Sequence, residues 1–237
     1  MGGFTMRKKY YMTLDTETVL VDKKQLVYDI AYSITDSNGI AEKSVNVLIY
    51  EIYTQHPDFF QIDTYDGQNI ARKRKEYNDF LMHGAIKVVT FQSFIHEYLK
   101  DLEKYNINAP AAYNCTFDCK SLSDTAEFLN ISKHPFEIVT TQSGKKVTKQ
   151  YPFKDLYIPC KDLFLNNKKY MQWAEKYGFI SPTGKIKCTA ETVYSFLTKN
   201  PAHIEKHKAL SDVVEESFIY FYLRKKRVVI DKKTTTR

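Results

Sequence analysis

At 237 residues, with 43% hydrophobic and 27% charged side chains, the chain matches ordinary globular composition, which excludes a disordered or fibrous protein. No apolar run approaches the ~20 residues that cross a bilayer, no signal-peptide core opens the sequence, and Met6 stands where a myristoylation signal needs Ser or Thr, so a cytosolic chain is expected. The formal net charge of +7 favours a polyanionic partner without identifying one.

In chain order, Lys9 to Leu14 reads as a strand with Tyr10, Met12 and Leu14 on one face, ending at Asp15. From Leu26 to Thr35, Tyr28, Ile30, Tyr32 and Ile34 alternate with small or polar residues, and Asp36-Ser37-Asn38-Gly39 supplies a turn before Val45, Val47 and Ile49 resume the alternation. The first fifty residues thus predict a three-stranded antiparallel meander. Residues 52–90, with His56-Pro57, Asp66-Gly67 and the basic cluster Arg72-Lys73-Arg74-Lys75, predict a loop with one or two short helices. Phe91, Phe94, Ile95, Tyr98, Leu99, Leu102 and Tyr105 then fall at helical spacing.

Ala111-Ala112-Tyr113 reads as a short buried strand and Phe117 to Leu129 as a helix. Residues 136–153, with Ser143-Gly144 between β-branched residues, predict a hairpin insertion; Leu156 to Ile158 predicts a further strand. Helices are expected over 162–177, 189–198 and 209–224, the last packed through Val214, Phe218, Phe221 and Tyr222, followed by a frayed basic tail over 224–237. Strands first, then strands alternating with helices, imply an α/β fold with a mixed sheet covered by helices, in a single domain over 1–237. Cys115, Cys119, Cys160 and Cys188 lack the two close pairs of a zinc site and read as buried free thiols.

Three short elements carry chemistry. Asp15-Thr16-Glu17 puts two carboxylates on one face of a strand, a pattern that by itself also describes a solvated surface. Asn114-Cys115-Thr116-Phe117-Asp118 lies where a short strand passes into a helix, and Asp118 alone reads equally as a helix N-cap. His207-Lys208-Ala209-Leu210-Ser211-Asp212 alone fits a surface histidine and a first-turn acid favoured by the helix dipole. Together, in this order, the three are far less expected by chance.

On these residues the chain resembles the DEDDh exonucleases of the DnaQ-like, ribonuclease H-like superfamily, from about Lys9 to Leu223. Asp15-Thr16-Glu17-Thr18 matches the first motif, Asn114 through Asp118 with Leu122 the second, and His207, Ala209 and Asp212 the third. Val19-Leu20 after Thr18, and the longer segments 52–90 and 136–153, depart from minimal members. The resemblance implies a ribonuclease H-like sheet, its first three strands antiparallel, flanked by helices. It further implies a 3′-to-5′ exonuclease that releases nucleoside 5′-monophosphates.

It assigns Asp15, Glu17, Asp118 and Asp212 as ligands of two Mg²⁺ or Mn²⁺ ions, which hard oxygen donors select, and His207 as the base that takes a proton from the attacking water. Thr18, Val19 and Leu20 would line the pocket for the terminal nucleotide, with ordinary strand packing as the alternative. Asn114 and Phe117 would brace the site. Arg72 to Lys75 would either track the substrate backbone or form a solvated helix face. The second motif looks like versions encoded by phages of AT-rich bacteria, which favours single-stranded DNA, a DNA polymerase as partner and the host cytoplasm as location. RNA end trimming, or an inactive nucleic-acid- or polymerase-binding subunit, are the competing expectations.

Overall fold

The computed structural model describes residues 8–60, 70–143 and 146–236. The meander is present as β1 (Tyr10–Val21), β2 (Lys24–Asp36) and β3 (Ala41–Ile49). β1 does not end at Asp15. It continues to Val21, so the acidic pair sits mid-strand, and a register shift between Glu17 and Thr18 bends the strand just beyond it. The turn into β2 is Asp22-Lys23, at φ 47° and 67°, the backbone that matches hairpin twist but that a lysine does not announce. At the β2–β3 turn Gly39 has φ 80°, and a Cβ there would meet the Phe221 ring at 3.0 Å.

The segment 52–90 contains α1 (Tyr50–Tyr53), a 3-10 turn (Pro57–Phe60), α2 (Ile70–Met82) and β4 (Lys87–Val89), a strand the sequence did not suggest. Asp66-Gly67 lies outside the described residues, as does Gly144 at the tip of the expected hairpin. α3 (Phe91–Lys104), β5 (Ala111–Ala112) and α4 (Thr116–Phe128) fall where expected. The hairpin 136–153 is β6 (Val139–Ser143) and β7 (Lys146–Asp155), but it is more than an insertion, because the end of β7 pairs in parallel with β5.

Leu156 to Ile158 is therefore not a strand. Asp155 accepts the Tyr157 N–H at 2.9 Å and α5 (Tyr157–Phe164) begins there. The helix expected over 162–177 is interrupted by Asn167, whose side chain caps α6 (Lys168–Lys176) by accepting the N–H groups of Lys169 and Tyr170. α7 (Ala190–Thr198) and α8 (Ala209–Lys225) follow. The tail is not frayed throughout: β8 (Lys232–Thr236) pairs antiparallel with β7. The sheet order is β4-β3-β2-β1-β5-β7-β6, with β8 also on β7.

Alternation along β2 creates two unlike faces. Tyr28, Ile30, Tyr32 and Ile34 enter the main core with Phe94 and Tyr98 of α3 and Leu122 of α4. On the other face Ala31 packs against Ala209 and Val213 of α8, while the hydroxyls of Thr13 and Ser217 meet. Small side chains let α8 lie close to the sheet. Its packed face is consequently Ala209, Asp212, Val213, Glu216, Ile219, Tyr220 and Leu223, whereas Val214 and Phe218 are exposed, contrary to the apolar periodicity.

Candidate active site

Four elements meet where the middle of β1 faces the start of α8. Tyr11 and Thr13 point toward α8, contacting Tyr220 and Ser217, and strand alternation carries Asp15 and Glu17 to the same side. Thr16 points the other way and donates its hydroxyl to Asp118 Oδ1 at 2.9 Å, which fixes the first turn of α4 beside β1. Asp118 is thus on neither a solvated surface nor a simple cap: it is buried, and the cap residue Cys115 makes no side-chain capping bond. Asn114 holds a left-handed φ of 59°, which asparagine tolerates better than most residues, and its carbonyl accepts the Phe117 N–H at 3.0 Å.

Ligand atoms of Glu17, His207 and Asp212 lie within 4.8 Å of one another. Asp212 enters from the first turn of α8, buried at 4% exposure, and His207 stands just before that helix at φ 49° with its side chain half exposed. The Asp29 carboxylate accepts the Ala209 N–H at 3.1 Å and the Tyr77 hydroxyl, anchoring the start of α8 to β2 and α2. Of the remaining expected contacts, Thr18 donates to Gln25 across the hairpin at 2.8 Å and Val19 is buried in the core. Val19 therefore packs as ordinary strand structure instead of lining a pocket. Leu20 and Phe117 do present surface, at 51% and 43% exposure.

Two side chains at the site carried no signal for this place in the sequence. Lys73 of α2 reaches in to place Nζ 2.9 Å from Glu17 Oε2, with both side chains largely buried. α2 is held there by Lys208, which pairs with Glu76 at 2.8 Å and lies over the Phe80 ring. Arg74 instead stacks on Tyr53 and Phe60, so the basic cluster is not a uniform solvated face. The second is Glu216, one helical turn beyond Asp212 and buried at 3% exposure. Its spacing from Asp212 was the one available clue.

The electrostatics are those of crowded acids. Burial, then Asp118, Glu216, Glu17 and Asp212, hold the Asp15 carboxyl well above the usual carboxylate range. Burial, then Glu205, Glu17 and Glu215, push Asp212 up to about 9. Glu17 rises to about 8 through burial, against the pull of Lys73, and Asp118 to about 7 through burial, against the Thr16 hydrogen bond. Burial and Asp118 raise Glu216 as well, although the Tyr113 N–H opposes the shift. Asp212 Oδ1 and Glu216 Oε2 are buried with no hydrogen-bond partner. Buried carboxylate oxygens lacking donors, beside others that repel them, form a donor set that fits hard divalent cations.

No protein-family model matches the sequence, and no curated protein matches it at the sequence level. Solved structures do resemble it. A 3′-exonuclease solved for 3′-end-specific recognition of a histone mRNA stem-loop superposes with TM-score 0.58 at 10% identity, covering 97% of this chain and 91% of that one. The nuclease domain of 3′hExo, a DEDDh family member bound to rAMP, gives 0.53 at 11% identity, covering 96% of this chain and 98% of that one. Cell-death related nuclease 4 (CRN-4) gives 0.53 at 13%, covering 94% of this chain and 66% of that one. The eight-stranded mixed sheet flanked by helices is the ribonuclease H-like fold of the DEDDh 3′-exonucleases.

Proposed function

We propose that the chain is a metal-dependent 3′-to-5′ exonuclease, a hydrolase that removes nucleoside 5′-monophosphates from nucleic acid. The observation that carries this reading is the meeting of Asp15, Glu17, Asp118, Asp212 and His207, separated by up to almost two hundred positions, at one place on the sheet. Asp15, Glu17 and Asp212 would hold one divalent ion, and Asp15 with Asp118 a second. When bound, such ions stabilise negative charge on the attacking and leaving oxygens of an in-line displacement at phosphorus.

The remaining tasks belong to side chains. His207 takes the proton from water as its oxygen attacks phosphorus; the P–O3′ bond breaks and the 3′ oxygen leaves with a proton from solvent. The Glu205 carboxylate, 3.9 Å from His207 Nδ1, favours the imidazolium that results. Phe117 and Leu20 offer exposed apolar surface to the terminal base. Lys73 holds Glu17 from the α2 side.

The preference for single-stranded DNA and a polymerase partner rests on the phage-like second motif. The competing reading, RNA, is supported by neighbours that recognise a histone mRNA stem-loop and hold rAMP. The test is side-by-side digestion of 5′-labelled single-stranded DNA and RNA of one sequence with Mg²⁺ or Mn²⁺. A ladder shortened from the 3′ end, abolished by chelator, supports the assignment and identifies the sugar preferred. If neither strand is shortened, hydrolysis is wrong and the inactive binding subunit stands. Among the described residues no helix is long and apolar enough to cross a membrane.

A further inference from the structure

A second basic feature lies away from the acids. At the other end of β1, a cavity of about 490 Å³ opens between the start of that strand, the end of α3, the loop into β5, β7 and α8. Lys9, Lys104 and Lys154 line it together with Tyr10, Tyr105 and Tyr220. Tyr11 lies four strand residues from Asp15, a separation of ~13 Å. Along α8, Tyr220 lies eight residues beyond Asp212, ~12 Å. The cavity is therefore distinct from the acidic centre.

Its charge is poorly compensated. Lys8 at the rim is neutralised by Glu42 at 3.0 Å and Asp36 at 3.8 Å. Lys9, Lys104 and Lys154 form no ion pair with any described carboxylate, and Lys154 Nζ is met only by the Tyr220 hydroxyl at 3.4 Å. Burial, then repulsion from Lys9, Arg224 and Lys232, lowers the Lys154 pKa despite the opposing pull of Asp231. A half-buried ammonium without an anion is costly unless something supplies one. The walls are aromatic: Tyr10 and Tyr105 pack edge to face at 5.0 Å, Lys104 lies over the Tyr105 ring and Lys9 over Tyr11.

We propose that this cavity is a second nucleic-acid contact, which takes the phosphodiester backbone and a base of a single strand. Uncompensated lysines meet phosphates, and tyrosine faces meet bases of any identity, the combination that binds single strands without sequence preference. Strands long enough to reach both places gain affinity that a mononucleotide at the acids does not.

The test is fluorescence anisotropy with labelled oligo(dT) several tens of nucleotides long, in chelator and over a range of salt. It requires no cleavage, so it stands or falls separately from the hydrolytic assignment. Lys9→Glu with Lys104→Glu, both exposed, is compared with a charge-matched control, Lys168→Glu with Lys199→Glu, also exposed. The cavity pair is expected to weaken binding roughly tenfold and to reduce the salt slope by about one, near the ~0.7 that each lost phosphate contact contributes on a single strand. Lys9→Gln with Lys104→Gln, a milder change, shifts both readouts in the same direction. Equal weakening by the control pair, or no change with the cavity pair, overturns the proposal. Loss of inorganic phosphate binding without loss of the strand would mark a small-anion site and overturn it too.

Discussion

Asp212→Asn tests the acidic centre most directly, because it predicts opposite effects with and without metal. With its carboxyl pushed up to about 9, Asp212 in the metal-free fold is held neutral at neutral pH, whereas the unfolded chain ionises it freely. Near pH 7.5 that difference has a ceiling of about 5 kcal/mol. Water entering the open end of the site and the nearby Lys73 ammonium reduce it to ~1–3 kcal/mol. Asparagine keeps the shape and removes the ionisation cost. In chelator the variant should therefore melt roughly 3–10 °C above wild type, given ~2–4 °C per kcal/mol for a chain of this size. Metal reverses the order. At a hundredfold excess over its Kd, Mg²⁺ should stabilise wild type by about 2.7 kcal/mol, and the variant should lose most of that gain along with cleavage. Differential scanning fluorimetry with EDTA and with MgCl₂ reads both effects. A variant that melts lower than wild type in chelator, or that keeps the full Mg²⁺ shift, refutes the crowded-acid reading.

Other perturbations separate the remaining roles. His207→Ala should lower the turnover rate roughly 10²–10⁴-fold in a 3′-end digestion assay while leaving the melting temperature unchanged, since the side chain is half exposed. Lys73→Met leaves buried Glu17 without its cation; the melting temperature in chelator should fall by the equivalent of ~1–2 kcal/mol and largely recover with Mn²⁺. Asp29 is pushed up to about 6 by burial, so the folded state binds its proton more tightly than the unfolded chain does. Its contribution to stability is complete below about pH 4 and is lost as pH rises through 6, a change of order 3 kcal/mol that Asp29→Asn should remove from urea-melt pH profiles. Gly39→Ala should destabilise by ~1–2 kcal/mol in denaturant melts, through its left-handed φ and the contact with Phe221.

The meander, α3 and the three acidic motifs were legible because each is a local pattern: period two, period 3.6, or a carboxylate at the end of an apolar run. Proximity was the condition that could have failed, and Thr16 to Asp118 at 2.9 Å with Glu17 near Asp212 satisfies it. What was not legible depends on partners. The stretch Lys232–Thr236 has no apolar face, and it is a strand only because β7 offers it an edge. α8 misled the periodicity argument because it buries alanine, valine and acids against a sheet face of small residues, leaving Val214 and Phe218 outside. Lys73 sits in a run of four cations, and nothing in that run distinguishes the one that turns toward Glu17 from Arg74, which turns toward aromatic rings.

Asp29 explains why those distant pieces close on one another. It lies opposite Glu17 in the β1–β2 register, and its one carboxylate takes the Tyr77 hydroxyl from α2 and the Ala209 N–H from the start of α8. Those two helices deliver Lys73 and Asp212. A buried anion accepting two donors from separate helices sets their positions more sharply than apolar contact could, since hydrogen bonds to a charge are directional and costly to leave unmade. The negative charge also favours the N-terminal end of α8, where the first-turn acid Asp212 must be held against its neighbours. The catalytic arrangement thus depends on a carboxylate that takes no part in the chemistry. Loss of Asp29 should accordingly disturb the relation of Lys73 to Asp212 before it disturbs the meander that carries Asp15 and Glu17.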